Sequence, residues 1–270
     1  MYIIQNFGIT SQMFISGNSM NGDKIELGVK MASEREAREK IAQLLVDSKI
    51  PQEEILETLP VFLKRQQLSR LLFLNELYEK IIDVPGSIVQ CGVRWGGDMS
   101  TFTSLRAIHE PYNYSRRLIG FDTFKGLAGV NEKDQGSHSV VDGQFSVVDG
   151  YQTTLSSVLA MHEAMAPLPH IAKHELIVGD ARHTVPKFLE QNPGESIALL
   201  YLDMDIFEPT KVVLEHCLER MPIGSIVVFD EFTDRRFPGE AAAYFEMKGR
   251  VNLHLKRGRF NTVTAYGVVC

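Results

Sequence analysis

The chain has a single tryptophan and three cysteines in 270 residues, and no unbroken apolar run long enough to span a bilayer. Cys91, Cys217 and Cys270 are scattered, odd in number and lack metal-ligand spacing. That excludes a disulfide framework and suits reduced thiols in a cytoplasmic protein. The opening Met1–Gly17 has neither a basic start nor a continuous apolar segment, so no signal peptide and no membrane association are expected. Positive charge is also short: 28 Lys and Arg stand against 34 Asp and Glu, a net charge of −6. Sequence-independent nucleic-acid binding needs a basic face, and none is expected. Repeats and low-complexity tracts are absent. A hydrophobic content of 44% is enough for a large core, as one α/β domain with an appendage or two small domains.

Carboxylates at the ends of apolar runs, by contrast, are plentiful. Ile197–Leu202 empties into Asp203-Met204-Asp205, and Ser225–Phe229 into Asp230-Glu231. Short apolar runs with a helical segment between them read as neighbouring buried parallel strands. In open α/β sheets ligands sit beyond the carboxyl ends of the strands, so these acids are expected to face one crevice. Strand alternation would set Asp203 and Asp205 side by side. Crowded carboxylates repel unless a proton or a cation intervenes, and a divalent metal with oxygen ligands fits the need.

Residues 1–32 read as a loosely held arm, packed on a partner subunit. Ser33 and Glu36 form a capping box for a first helix, Pro51 opens a second, and a third runs from after Pro60 to about Ile82. These helices cap the sheet, build an interface, or form part of an acceptor pocket. The expected division is 1–84 as N-terminal arm and helical extension (lid or interface) and 85–270 as the sheet domain. Ser87–Val93 is a strand leading into Cys91-Gly92-Val93-Arg94-Trp95-Gly96-Gly97 and a helix start, a turn that brings backbone N–H groups to a ligand. Its Gly-x-x-x-Gly-Gly spacing differs from the dinucleotide fingerprint. A second strand ends in Asp122-Thr123, where the acid would accept ribose hydroxyls or cap a helix. Residues 127–150 read as a functional lid containing His138. A third strand ends in Gly179-Asp180-Ala181, with Asp180 either accepting from an adenine amino group or capping the next helix. A C-terminal hairpin, Asn252–Lys256 and Thr262–Val269, would close the sheet.

Four stretches carry a resemblance: Gln90–Gly97, Gly120–Leu127, Leu202–Thr210 and Val228–Phe232. In this order they resemble the macrocin O-methyltransferase family of class I S-adenosylmethionine-dependent enzymes, which methylate sugar hydroxyls with a divalent cation, usually magnesium. The resemblance implies a Rossmann-like α/β sheet with helices on both faces and an N-terminal helical extension. It implies that Gln90, Gly92, Val93, Trp95, Gly96, Gly97, Asp122, Thr123, Gly179, Asp180, Ala181 and Asp203 hold S-adenosylmethionine. Asp203, Asp230 and Glu231 would ligate Mg²⁺, and Asp205 would be the general base. Gln90 stands where the family often has glutamate, and Glu231 where it has a second aspartate. The alternative on the bare residues is that Asp205 caps the following helix or stands as an acid behind the metal ligands. The acceptor implied is a small hydroxylated molecule, a sugar or sugar nucleotide, and a homo-oligomer is expected. Four rival functions use parts of the same pattern: a catechol-like O-methyltransferase, an Asp-x-Asp glycosyltransferase, an aspartyl-nucleophile phosphatase and a non-catalytic cofactor-binding protein.

Overall fold

The computed structural model describes residues 32–249 and 253–270. The arm at 1–31, the Ser33 side chain of the expected cap, and Asn252 at the expected start of the hairpin lie outside the described residues. Each apolar run becomes a strand: β1 (Ser87–Cys91), β2 (Leu118–Asp122), β3 (His174–Val178), β4 (Ile197–Leu202) and β5 (Ile226–Phe229), all parallel. The hairpin, β6 (Leu253–Arg257) and β7 (Ala265–Val269), completes a seven-stranded sheet of order β3-β2-β1-β4-β5-β7-β6. β7 is antiparallel to both of its neighbours. The strand order reverses between β1 and β4, the place where such sheets open a ligand crevice at their carboxyl ends.

Helices α1 (Ala32–Asp47), α2 (Ile55–Phe62) and α3 (Arg65–Ile81) precede the sheet. Pro60 lies inside the last turn of α2, not at a helix boundary. So late in a short helix its missing N–H costs only one ladder bond. α2 buries no residue; Leu56 and Val61 stay 75% and 77% exposed. α3 behaves oppositely. Phe73, Leu74, Leu77, Tyr78 and Ile81 are fully buried, in one core with Ile88, Leu199, Tyr201 and Val228 of the sheet. Arg116 locks this junction: buried, it pairs with Glu110 and donates to the carbonyls of Ile81, Ile82, Val84 and Gly86. Residues 65–81 therefore share the core of the sheet, across the 84/85 line drawn from the sequence.

α3, α4 (Gly97–His109) and α5 (Tyr151–Ala164) cover one face of the sheet. α6 (Ala181–Gln191), α7 (Phe207–Cys217) and α8 (Gly239–Met247) cover the other. With both faces covered, β4 and β5 are buried at every position, which is why they read as unbroken apolar runs. Among the described residues no helix is long and apolar enough to cross a membrane.

Candidate functional site

β4 stops at Leu202, so alternation along a strand does not place the acids that follow. The chain instead makes a γ-turn in which the Ile206 N–H donates to the Met204 carbonyl at 2.7 Å, with Asp205 at its centre and φ at 63°. This is a strained conformation for a residue with a Cβ, and strain of this kind persists only where the surroundings impose it. Glu240, fully buried at the start of α8, imposes it here. Its Oε1 accepts from the N–H groups of Met204 (3.2 Å) and Asp205 (3.3 Å), and its Oε2 from that of Glu231 (3.3 Å). One carboxylate thus ties together the loops leaving β4 and β5.

The turn gathers Asp203, Asp205 and Glu231, whose nearest oxygens all lie within 4.8 Å of one another. Burial and the neighbouring Asp230 push the Asp203 and Glu231 carboxyls well above their usual range. Burial, again with Asp230 alongside, lifts Asp205 to about 6. Burial and Asp205 push the Glu240 carboxyl well above its usual range. The cluster therefore favours bound protons or a bound cation. Glu231 Oε2 is buried with no partner, an acceptor that a divalent ion would satisfy, so the donor set fits a hard cation.

Asp230, expected among the ligands, is placed differently. Its Oδ1 accepts from the Tyr201 hydroxyl at 2.5 Å and from Arg70 Nη1. Arg70 comes from α3 and was not singled out in the sequence. Its Nε lies 3.1 Å from both oxygens of Asp98, its Nη2 also binds Asp98, and it approaches Asp203 at 3.5 Å. The guanidinium lies over the Tyr201 ring, 5.2 Å from the centroid. Asp98 lies in the first turn of α4, where the sequence shows only a helix start.

Beside the acids, at the β1/β4 reversal, opens a cavity of about 360 Å³, within the roughly 300–1,000 Å³ usual for small-molecule sites. Of the expected cofactor residues, Gly92, Asp122, Thr123, Gly179, Asp180, Ala181 and Asp203 line it. So do Asp205, Asp230 and Glu231, with Phe121, Met204 and Ile206 supplying apolar wall. Gln90, Val93, Trp95, Gly96 and Gly97 do not line it. Val93 is buried in the core, and Trp95 lies edge-on to Tyr151 at 4.7 Å. Gln90 is buried; its Nε2 donates to the Gly92 carbonyl at 2.9 Å, and its Oε1 has no partner. A buried acceptor without a donor fits a ligand ammonium. A Cβ on Gly97 would meet nothing within 4 Å. Gly92 is required for a different reason. With φ at 91°, its Cβ would stand 1.8 Å from the Asp203 carbonyl oxygen, so the ends of β1 and β4 touch there.

Asp122 neither caps a helix nor lies free. Its carboxylate accepts from the N–H groups of Val93 (2.6 Å), Arg94 (2.7 Å) and Phe124 (2.5 Å), bracing the glycine turn. Of about four acceptor positions on a carboxylate, one remains for a ribose hydroxyl. Asp180 takes the cap arrangement, accepting from the Arg182 N–H at 2.9 Å and pairing with the Arg182 guanidinium. Thr123 closes a local turn, donating to the Gly126 carbonyl at 2.7 Å.

The segment 127–150 is anchored, not dangling. Asp134 is fully buried and accepts from the Phe207 N–H at 2.6 Å, capping α7 from a distance, and from the Asn131 N–H at 2.8 Å. Ser137 N–H donates to the Arg235 carbonyl at 2.9 Å. Phe145 packs on Phe237, and Arg94 lies over the Phe145 ring at 5.0 Å, closing one side of the cavity. His138 is exposed beside Phe237.

Comparison with known proteins points the same way. A family model of macrocin-O-methyltransferases (TylF) matches residues 66–258. A curated relative, the 8-demethyl-8-(2,3-dimethoxy-alpha-L-rhamnosyl)-tetracenomycin-C 4'-O-methyltransferase of Streptomyces olivaceus, is 28% identical over 175 residues. That match covers 61% of this chain and 60% of the relative, so the chain spans less than two thirds of it. The crystal structure of CalS11, a calicheamicin methyltransferase, has a TM-score of 0.85 and 39% identity, covering 93% of this chain and 99% of that one. Its apo structure, described as a TDP-rhamnose 3'-O-methyltransferase of calicheamicin biosynthesis, has a TM-score of 0.75 over 88% and 95% of the two chains, again at 39% identity. The O-methyltransferase NovP, 18% identical with a TM-score of 0.56 over 74% of this chain and 79% of its own, shares the fold.

Proposed function

Because this chain belongs to the macrocin-O-methyltransferase family, we propose that it methylates a hydroxyl of a sugar, presented as a sugar nucleotide or on a glycosylated small molecule, using S-adenosylmethionine and a divalent cation. The observation that carries the reading is the trio Asp203, Asp205 and Glu231 opening onto a cavity at the β1/β4 reversal. The 39% identity to CalS11 over most of the chain, together with the TDP-rhamnose acceptor in the description of that protein, supports a deoxysugar nucleotide as acceptor. The rhamnosyl group named for the Streptomyces olivaceus relative supports the deoxysugar, carried there on a glycosylated small molecule.

When bound, S-adenosylmethionine supplies an electrophilic methyl and the cation, magnesium by expectation, lowers the cost of negative charge on the acceptor oxygen. Asp203, Asp230 and Glu231, all lining the cavity, would hold the cation. The remaining acceptor position of Asp122 would take one ribose hydroxyl, Gln90, behind the cavity, would face the amino-acid end of the cofactor, and Phe121, Ala181 and Met204 wall the cavity. Asp205 is the general base. Burial and Asp230 lift its carboxyl to about 6 in the metal-free protein, and a carboxylate beside the acceptor oxygen can take its proton. Its γ-turn, held by Glu240, fixes the carboxylate before substrate arrives, so orientation is settled in advance. The exposed apolar side chains of α2 support the self-association expected from the sequence.

The test is methyl transfer from S-adenosylmethionine to a panel of TDP-deoxysugars and catechols, read by mass spectrometry, with Mg²⁺ and with excess chelator. Methylated sugar nucleotide that disappears on chelation is the expected result. Methylation of catechols alone would refute the acceptor class, and undiminished rates in chelator would refute the cation.

A further inference from the structure

Asp122, Asp180, Asp203, Asp205, Asp230 and Glu231 line the cavity, and among the described residues that line it only Arg94 is basic. The other guanidiniums nearby are already paired, Arg70 with Asp98 and Asp230, and Arg182 with Asp180. Arg94 is exposed. Among the described residues its guanidinium forms no hydrogen bond or ion pair, and it lies over the Phe145 ring, 5.0 Å from the centroid. We propose that Arg94 binds the diphosphate of a nucleoside-diphosphate deoxysugar, and so selects the activated sugar over the same sugar carried as a neutral glycoside. The inference rests on the sugar-methylation reading above. It goes beyond that reading by naming the group that presents the sugar and the residue that recognises it.

The backbone holds this side chain in place before any ligand arrives. Arg94 has φ at 49°, and Phe145, which it covers, has φ at 68°. Left-handed conformations are costly for residues with a Cβ and persist where the surroundings impose them. Asp122 imposes one of them by accepting the Arg94 N–H at 2.7 Å. Phe145 and Phe237, with ring centroids 5.8 Å apart, also line the cavity and give the methyl-bearing face of a deoxysugar an apolar wall. A diphosphate entering a cavity rich in carboxylates is repelled unless a cation meets it. A guanidinium does so with a planar fork of donors that matches phosphate oxygens, and its stem is already ordered against a ring. A hydroxyl at the acids and a diphosphate at Arg94 would set the two ends of one ligand against the two signs of charge in one cavity. A neutral glycoside would leave the guanidinium without a partner.

Two plainer roles would leave the side chain in the same place: packing the 127–150 segment through Phe145, or meeting the carboxylate of the cofactor. Calorimetry of the full chain with saturating Mg²⁺ and S-adenosylhomocysteine, using TDP and thymidine as probes, separates them. Wild type should bind TDP tighter than thymidine by about tenfold or more, the scale of a hydrogen bond to a charged group. Arg94→Met keeps an unbranched stem against Phe145 and should lose that preference, and Arg94→Lys, a point charge without the fork, should keep part of it. In turnover, Arg94→Met should raise the KM for TDP-rhamnose about tenfold with kcat within about twofold of wild type. Wild type should methylate methyl α-L-rhamnoside at least about tenfold less efficiently than TDP-rhamnose. A TDP preference that survives in Arg94→Met would assign the diphosphate to the cation and overturn the proposal. Weaker S-adenosylhomocysteine binding by Arg94→Met with its TDP preference intact would assign Arg94 to the cofactor and overturn it too. So would equal methylation of glycoside and TDP-rhamnose by wild type, a result that needs no variant to fold. Methylation of neither sugar would overturn the sugar reading itself, a different result from methylation of both.

Discussion

Asp205→Asn separates the chemistry of the site from its cost to the fold. An aspartate with an ordinary value of 3.8 is lifted to about 6 by burial and by Asp230. The folded state therefore keeps a proton that the unfolded chain releases between about pH 4 and 6, and stability falls as pH rises through that window. At about 1.36 kcal/mol per pH unit, the ionised group costs the metal-free fold up to about 3 kcal/mol at neutral pH. Asp203, Glu231 and Glu240 share in holding the cluster's protons, so the recoverable part is about 1–3 kcal/mol. Asparagine removes the charge, keeps an acceptor and tolerates the left-handed φ of the γ-turn. In excess chelator at about pH 7.5 the variant should be more stable than wild type by that amount. Near pH 3, where both unfolded and folded Asp205 are mostly protonated, the gap should close. Urea unfolding at the two pH values reads it. Turnover should meanwhile fall about 10²–10⁴-fold, the usual loss for a general base. A variant no more stable than wild type at neutral pH would refute the electrostatic argument, and wild-type turnover would remove Asp205 as the base.

Other perturbations test the surrounding frame. Arg116→Met leaves the Glu110 charge without its cation and strips the carbonyls at the end of α3 of their donor, and should cost about 3–5 kcal/mol in urea unfolding. Asp134→Ala orphans the Phe207 and Asn131 N–H groups at a cost of about 1–3 kcal/mol, and hydrogen exchange across 127–150 should quicken more than elsewhere. Gly92→Ala forces a Cβ against the Asp203 carbonyl, 1.8 Å away. It should abolish S-adenosylhomocysteine binding in calorimetry before any effect on the acceptor is seen. Mn²⁺ affinity should weaken as pH drops below about 6, where a proton on Asp205 removes a negative charge beside the ion.

The strands were legible because burial on both faces leaves a plain signature. Ile197–Leu202 matches β4 to the residue, and the hairpin and the order of elements also follow from pattern alone. Local punctuation was less dependable: Pro60 reads as a break yet sits in the last turn of α2, where one missing bond is tolerated. Asp203 and Asp205 do come together, but through a γ-turn held by Glu240, which no strand periodicity announces. Arg70 was the least visible. In its helix it is one polar residue beside a leucine stripe, and its partners Asp98 and Asp230 lie 28 and 160 positions away. Nothing local links them until the sheet has formed. The same holds for Asp134, which reads as a loop acid and becomes a remote cap for α7.

The burial of Phe73, Leu74, Leu77, Tyr78 and Ile81 against the sheet bears on how this enzyme is cut and recombined. A chimera or minimal version joined at residue 85 would strip one wall of the hydrophobic interior and discard the guanidinium that neutralises Asp98 and Asp230. A splice ahead of residue 65 leaves both in place, so segment exchanges between relatives at this end are best confined to α1 and α2.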